Sequence, residues 1–286
     1  MKKSTRKKIV QTAGFLALRT CTLMVLAVIV LFLADIGGKG GGAISWEFLS
    51  QAPRKGMTEG GIFPAIFGTF LVTAITAVLA VPLGMSAAIY LNEYARQTRL
   101  TRIIRLSIRN LSGVPSIVYG LFGVILFVNT LRFGTSILSA GLTLGLMTLP
   151  WTITASEEAL KTIPNSYREG ALALGATKWQ SIRTNVLPYA VPGMLTGTVL
   201  GLARAAGETA PIMFTGAAFF LPYLPRSLGD QFMALPYHLY IMATQHHAIV
   251  QVRPLAYGTA LVLIVLVLGM NMTAVVLRYR LRRKQR

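Results

Sequence analysis

YAVPGMLTGTVLGLARAAGETAPIMFTGAAFFL, residues 189 to 221, carries no charge apart from Arg204 and Glu208. As one α-helix it would run to about 50 Å at 1.5 Å per residue, well past the roughly 30 Å of a bilayer's hydrocarbon core. Such a run must break, and Gly207 and Pro211 are the residues that break it, which leaves Arg204 near a helix end. A charge at mid-membrane costs about 2.5 to 3.5 kcal/mol on insertion scales, so a run that keeps two faces a cavity or a partner helix. Arg204 and Glu208 are four residues apart and share one helix face. Two readings follow: a buried ion pair that fixes packing, or an Arg whose planar donor fork takes an oxyanion while Glu208 holds it when the site is empty.

The rest of the chain fits a membrane setting. Of its 286 residues, 53% are hydrophobic and only 13% charged, about half the charged share of a soluble domain. Six apolar runs have spanning length: 14–34, 62–91, 111–131, 135–155, one within 189–221, and 256–277. The second is long enough to tilt, or to bend near Pro82 and Gly84, and Pro115 marks the start of a helix in the third. Segments between runs alternate in charge: the N-terminal tail, 96–109, 156–188 and the C-terminal tail hold 20 Lys and Arg, the other segments 6. That asymmetry predicts both termini in the cytoplasm. The net charge of +19 is then explained by topology and anionic lipid, which removes the argument for nucleic acid. The first run is read as an uncleaved span.

Chemistry-bearing constellations are scarce. The single Cys21 forms no internal disulfide, and the three histidines His238, His246 and His247 have no Cys or acid cluster at metal-ligand spacing. Gly37 to Gly42 reads as a flexible outer linker. No GxxxxGK[ST] stretch occurs, so the chain is not expected to bind and split ATP itself, no cofactor is expected on it, and any driving force must come from a partner. In 156–188, Pro164 opens a helix, Gly175 ends it, and Thr177 caps a second helix that Pro188 terminates. Its small and apolar turn suits either docking to a protein or lying on the membrane face.

REGALALGATKWQSIRTNVLPYAVPG, 168–193, resembles the cytoplasmic signature of ABC importer permeases, matching at Glu169, Ala171, Gly175, Leu187 and Pro188 and departing at Gly170 and Asn185. GGAISWEFL, MTEGGIFPAIFGTF, AAIYLNEYA, LSGVPSIVYGLFG and GLARAAGETAPIMFTG extend the likeness over nearly the whole chain, to the PstA-type permease subunits of bacterial phosphate importers. Thr209 to Pro211 favours that type over its PstC-type companion. The resemblance implies an all-α integral membrane protein of six transmembrane helices with the type I ABC importer permease fold. It divides the chain into a basic tail (1–13), a first span (14–34), an outer linker (35–61), a five-helix core (62–277) containing the coupling loop 156–188, and a second basic tail (278–286). It implies a non-catalytic bacterial inner-membrane subunit. Its partners would be a PstC-type permease, two copies of a PstB-type ATPase that would bind ATP and Mg, and a phosphate-binding protein on the outer face. Arg204 and Glu208 would lie on the substrate path. A permease for molybdate or sulfate is the alternative within the class, and a stand-alone secondary transporter the alternative outside it.

Overall fold

A computed structural model of the chain describes residues 2–283, so Met1 and the end of the tail 278–286 lie outside the described residues. Helix α1 is Lys2–Gly40, followed by a short 3-10 turn and α2, Trp46–Ser50. A two-residue hairpin, β1 (Pro53–Arg54) against β2 (Glu59–Gly60), leads into α3, Phe63–Ile89, which ends in a π turn, Tyr90–Tyr94. Next come α4 (Arg99–Leu111), α5 (Ser116–Gly123, extended by a π segment Val124–Thr130) and α6 (Ile137–Lys161). Helices α7 (Ser166–Ala173) and α8 (Lys178–Ser181) precede the π turn Ile182–Val186 and α9 (Leu187–Ala206). The chain closes with α10 (Ala210–Thr215), α11 (Leu235–Thr244) and α12 (Ile249–Arg283).

Among the described residues, five stretches are long and apolar enough to cross a membrane: Gln11–Ala43, Phe63–Tyr94, Ile137–Lys161, Lys178–Ala206 and Ile249–Arg280. A sixth arises if Arg99–Leu111 and Ser116–Thr130, bent by 102°, count as one. That pair corrects the expected third span 111–131. Pro115 holds an extended conformation at the N-cap of α5, so the run breaks at its start and the amphipathic α4 turns away.

Small residues set the packing, as they must where lipid removes the hydrophobic drive between helices. Gly193, Gly197 and Gly201 recur every four residues along α9 and meet Ala159, Ala155 and Thr148 of α6 in turn, so these helices run antiparallel. A Cβ on Gly197 would collide with that of Ala155. On α6, Gly141 and Gly145 meet Ile75 and Leu79 of α3 in a parallel register, and Thr76 donates across the seam to the Gly141 carbonyl at 3.2 Å. Helices α3, α6 and α9 therefore form the core, and the 96–109 and 156–188 segments share one end of it.

Other expectations change. Residues 2–13 continue into α1 as helix, and the Gly37–Gly42 stretch is helix and 3-10 turn rather than a flexible linker. Gly40 allows a close crossing: a Cβ there would sit 2.6 Å from the Tyr257 carbonyl oxygen of α12. Pro188 does not terminate a helix. It lies just after the π turn Ile182–Val186, inside the continuous helical stretch Lys178–Ala206.

Candidate functional site

The long apolar run is discontinuous: α9 ends at Ala206, Gly207 caps it, and α10 opens at Ala210 with Pro211 in its first turn. Arg204 is in the last turn of α9, where the negative end of the helix dipole favours a cation. Its Nε lies 3.4 Å from Oε1 of Glu208, a long contact, and its guanidinium stacks over the Trp151 ring at 5.0 Å. The Arg204 side chain is 52% exposed and that of Glu208 17%. Among the described residues no other hydrogen bond reaches the guanidinium, so the Nη edge of its fork has no hydrogen-bond partner there. An open groove of about 500 Å³, lined by Ala203, Arg204, Gly207, Glu208, Leu263 and Leu268, runs beside it. The charged pair is thus on a face of the chain rather than sealed in its core.

The loop 156–188 is a helical hairpin. Asn165 precedes α7, Glu169 stands in its first turn, and Ala171 is the buried residue of the helix. Gly170 is open on its Cβ side, and Gly175 follows the helix at φ +84°. The amide of Gly175 donates to the Leu172 carbonyl at 3.0 Å and that of Ala176 to Ala171 at 3.1 Å, the double closure that a left-handed residue makes at a helix end. Thr177 then starts α8 with a reciprocal capping box to Gln180. Leu174, at the tip, is 90% exposed, with Leu172, Tyr167 and Trp179 also exposed around it. Leu187 and Pro188 lie beyond, at the start of α9. Leu187 and Arg204 are 17 residues apart on one helix, about 25 Å, so the two sets of residues stay apart.

Two arginines bind this end together, and neither is singled out by the sequence. Arg168, on α7, meets Glu93 of the π turn, Nη2 to Oε1 at 2.7 Å and Nε to Oε2 at 3.0 Å. The same guanidinium donates to the carbonyls of Ile163 and Leu160, at 2.9 and 3.2 Å, where α6 ends. Arg105, on α4, donates to Glu157 of α6 at 3.0 Å, to the Leu91 carbonyl at 2.6 Å and to Gln97 at 2.8 Å. Glu93 and Glu157 are 5% and 7% exposed, so each carboxylate is buried with its partner. The available signal was scarcity: the chain has only nine acids, and these two lie at the ends of apolar runs.

At the opposite end, α11 lies outside the spanning stretches and buries His238, 2% exposed, with no hydrogen-bond partner for Nδ1 among the described residues. Burial, with the neighbouring His246 adding to it, pushes His238 down to about 4. The folded state therefore holds the neutral imidazole. Its contribution to stability is full above the unfolded value near 6.5 and is lost as pH falls towards 4, about 3 kcal/mol at most. Thermal unfolding of the purified protein should show a lower midpoint at pH 4.5 than at pH 7.5, and His238→Gln should shrink that difference. An equal pH dependence in the variant would exclude His238 as its source.

The likenesses to known proteins put this fold in a class, the permease subunits of type I ABC importers. The chain belongs to the family described as "Binding-protein-dependent transport system inner membrane component", whose model matches residues 80–286. It is 30% identical over 266 residues to the "Probable ABC transporter permease protein YqgI" of Bacillus subtilis, covering 89% of this chain and 90% of that one. It is 37% identical over 229 residues to the "Phosphate transport system permease protein PstA 1" of Mycobacterium tuberculosis, covering 79% and 72%. With PstA of Mycobacterium leprae it shares 33% over 282 residues, 96% and 91%. Among solved structures, a bacterial ABC transporter involved in alginate import superposes with TM-score 0.65 at 14% identity, over 91% of this chain and 95% of the other. The MetNI methionine transporter superposes with TM-score 0.62 at 18% identity, over 77% and 97%. Both likenesses carry the fold.

Proposed function

We propose that this chain is the PstA-type permease subunit of an ATP-driven phosphate importer in the bacterial inner membrane. The observation that carries the reading is the open donor edge of Arg204 at the broken end of α9. A guanidinium fork matches the paired oxygens of phosphate, and Glu208 and Trp151 hold it in position without occupying that edge. The identity with phosphate permeases over most of the chain supports the same substrate.

In this account the chain does no hydrolysis itself. Its exposed Leu174 tip, on a loop closed by Gly175, docks into one of two copies of a PstB-type ATPase, where ATP and Mg are bound. A PstC-type second permease covers the face that carries Arg204 and completes the path. The segment 217–232 with α11 meets a phosphate-binding protein outside. Closure of the ATPase pair on ATP moves the hairpin, and the spans above switch between inward and outward access.

The test is uptake of labelled phosphate into vesicles holding the whole complex, with binding protein outside and ATP supplied on the ATPase side. ATP-dependent uptake that excess sulfate and molybdate leave intact is expected. Uptake without ATP, or preferential uptake of either competitor, overturns the assignment.

Topology has its own expected outcome. Reporter fusions at the C-terminus and after Asp230 should report opposite sides of the membrane, the C-terminus cytoplasmic. Signals from the same side would contradict the orientation drawn from the 20 to 6 asymmetry of basic residues.

A further inference from the structure

We propose that α4 is a lever joining the ATPase-docking hairpin to the broken span, through hydrogen bonds centred on Arg168, Arg105 and Tyr119. The inference rests on the reading above and specifies the route by which motion of the hairpin reaches the substrate path. Arg168 ties α7 to the π turn at Glu93, with both side chains largely buried. Two residues earlier in the same turn, the Leu91 carbonyl accepts from Arg105, which carries the connection to α4. A π turn leaves a helix locally widened, and this one takes an arginine from α7 at Glu93 and another from α4 at the Leu91 carbonyl.

At the far end of α4, the Tyr119 hydroxyl donates to the Leu111 carbonyl at 2.9 Å. That bond spans the corner at Ser112 to Pro115 and fixes the 102° angle between α4 and α5. The Tyr119 ring is buried, so the hydroxyl is carried on a side chain that packing holds in place. On α5 the next residue, Gly120, lies against α10: a Cβ there would sit 3.0 Å from Pro211 Cα. Helix α10 is the piece that begins two residues after Glu208. Each joint is a short polar contact or a glycine contact, and the pieces between them are helices. A displacement of α7 at one end thus has a continuous stiff connection to the break beside Arg204.

The distinguishing readout is phosphate transported per ATP hydrolysed, because a merely structural defect lowers transport and hydrolysis together. Tyr119→Phe removes one hydroxyl and keeps the ring, so complex yield should stay at the wild-type level while the ratio falls about threefold or more. Arg105→Gln combined with Glu157→Gln removes the arginine without stranding a buried carboxylate and should lower the ratio likewise. Because both act on one connection, combining all three changes should cost little more than the worse of the two. A wild-type ratio in Tyr119→Phe with Arg105→Gln and Glu157→Gln, parallel loss of transport and hydrolysis, or effects that multiply would each overturn the lever.

A second measurement keeps this separate from the substrate assignment. In a Cys21→Ser background, Val118→Cys at an exposed position of α5 should change its reactivity towards a thiol reagent when ATP is added to the complex. Tyr119→Phe should suppress that change, whatever the transported ion is. Failure of phosphate uptake in the wild type would remove the proposed substrate and leave the lever standing if this response persists. An ATP response undiminished by Tyr119→Phe removes the lever alone.

Discussion

Arg204→Gln should lower ATP-driven phosphate uptake about 100-fold or more while the complex still assembles, a loss of roughly 2.7 kcal/mol at 1.36 kcal/mol per tenfold. Glutamine keeps much of the side chain's length and a donor amide but no charge, and phosphate recognition depends on the charge-assisted paired bonds that only the guanidinium supplies. Arg204→Lys should retain part of the activity, since it restores the charge without the planar fork. The geometry favours this over a packing role. The contact between Arg204 and Glu208 is long, 3.4 Å, and the arginine is half exposed, whereas the pairs that do lock helices here, Arg168 with Glu93 and Arg105 with Glu157, are 2.7 and 3.0 Å and largely buried. A contact of the first kind adds little to stability, while breaking one of the second strands a buried charge at about 3 to 5 kcal/mol.

Gly175→Leu should abolish both ATPase copurification and uptake, each by at least about tenfold, with the permease still inserted. Gly175 holds φ +84°, where a side chain is strained, and nothing lies within 4 Å of its Cβ direction. The effect therefore arises from the backbone that closes α7 and from bulk added at the docking tip, not from a clash inside the chain. Gly175→Asn, which tolerates the left-handed backbone, should keep more of both functions than Leu. Copurification by affinity pull-down and uptake in the same membranes check this. Normal values for the Leu variant would mean that the hairpin is not where the ATPase docks.

What the sequence revealed of this fold follows from which forces act locally. Apolar runs of spanning length are a composition signal, and they mark α1, α3, α6, α9 and α12, because each must satisfy its own backbone in lipid. The limits of these helices are less legible. α1 begins at Lys2 and α12 reaches Arg283, since charged residues that favour helix continue it beyond the membrane. Pro188 misleads because the helix changes to a π turn just before it and runs on through the proline, which no local sequence signal announces. The Gly37 to Gly42 stretch misleads for a related reason: glycine signals flexibility until a second helix approaches its backbone, as α12 does at Gly40. The glycine turn and Thr177 cap of 156–188 were legible because both are local backbone chemistry. Arg168, Glu93, Arg105 and Glu157 were not, because their partners are 75 and 52 residues away in the chain, and no local pattern specifies which arginine meets which acid. The pair Arg204 and Glu208 was visible only because a charge in an apolar run stands out, and sequence alone left its role open between packing and transport.

That choice is the central one, and the double variant Arg204→Gln with Glu208→Gln decides it. It leaves no lone charge beside α9, so a defect due only to an unpaired buried carboxylate would be relieved. Uptake of labelled phosphate into vesicles, with the yield of assembled complex measured on the same preparation, gives both quantities at once. The expected result is wild-type yield with uptake still about 100-fold down. Uptake restored to near the wild-type rate would contradict the account, because it would show that Arg204 balances Glu208 and takes no part in handling phosphate.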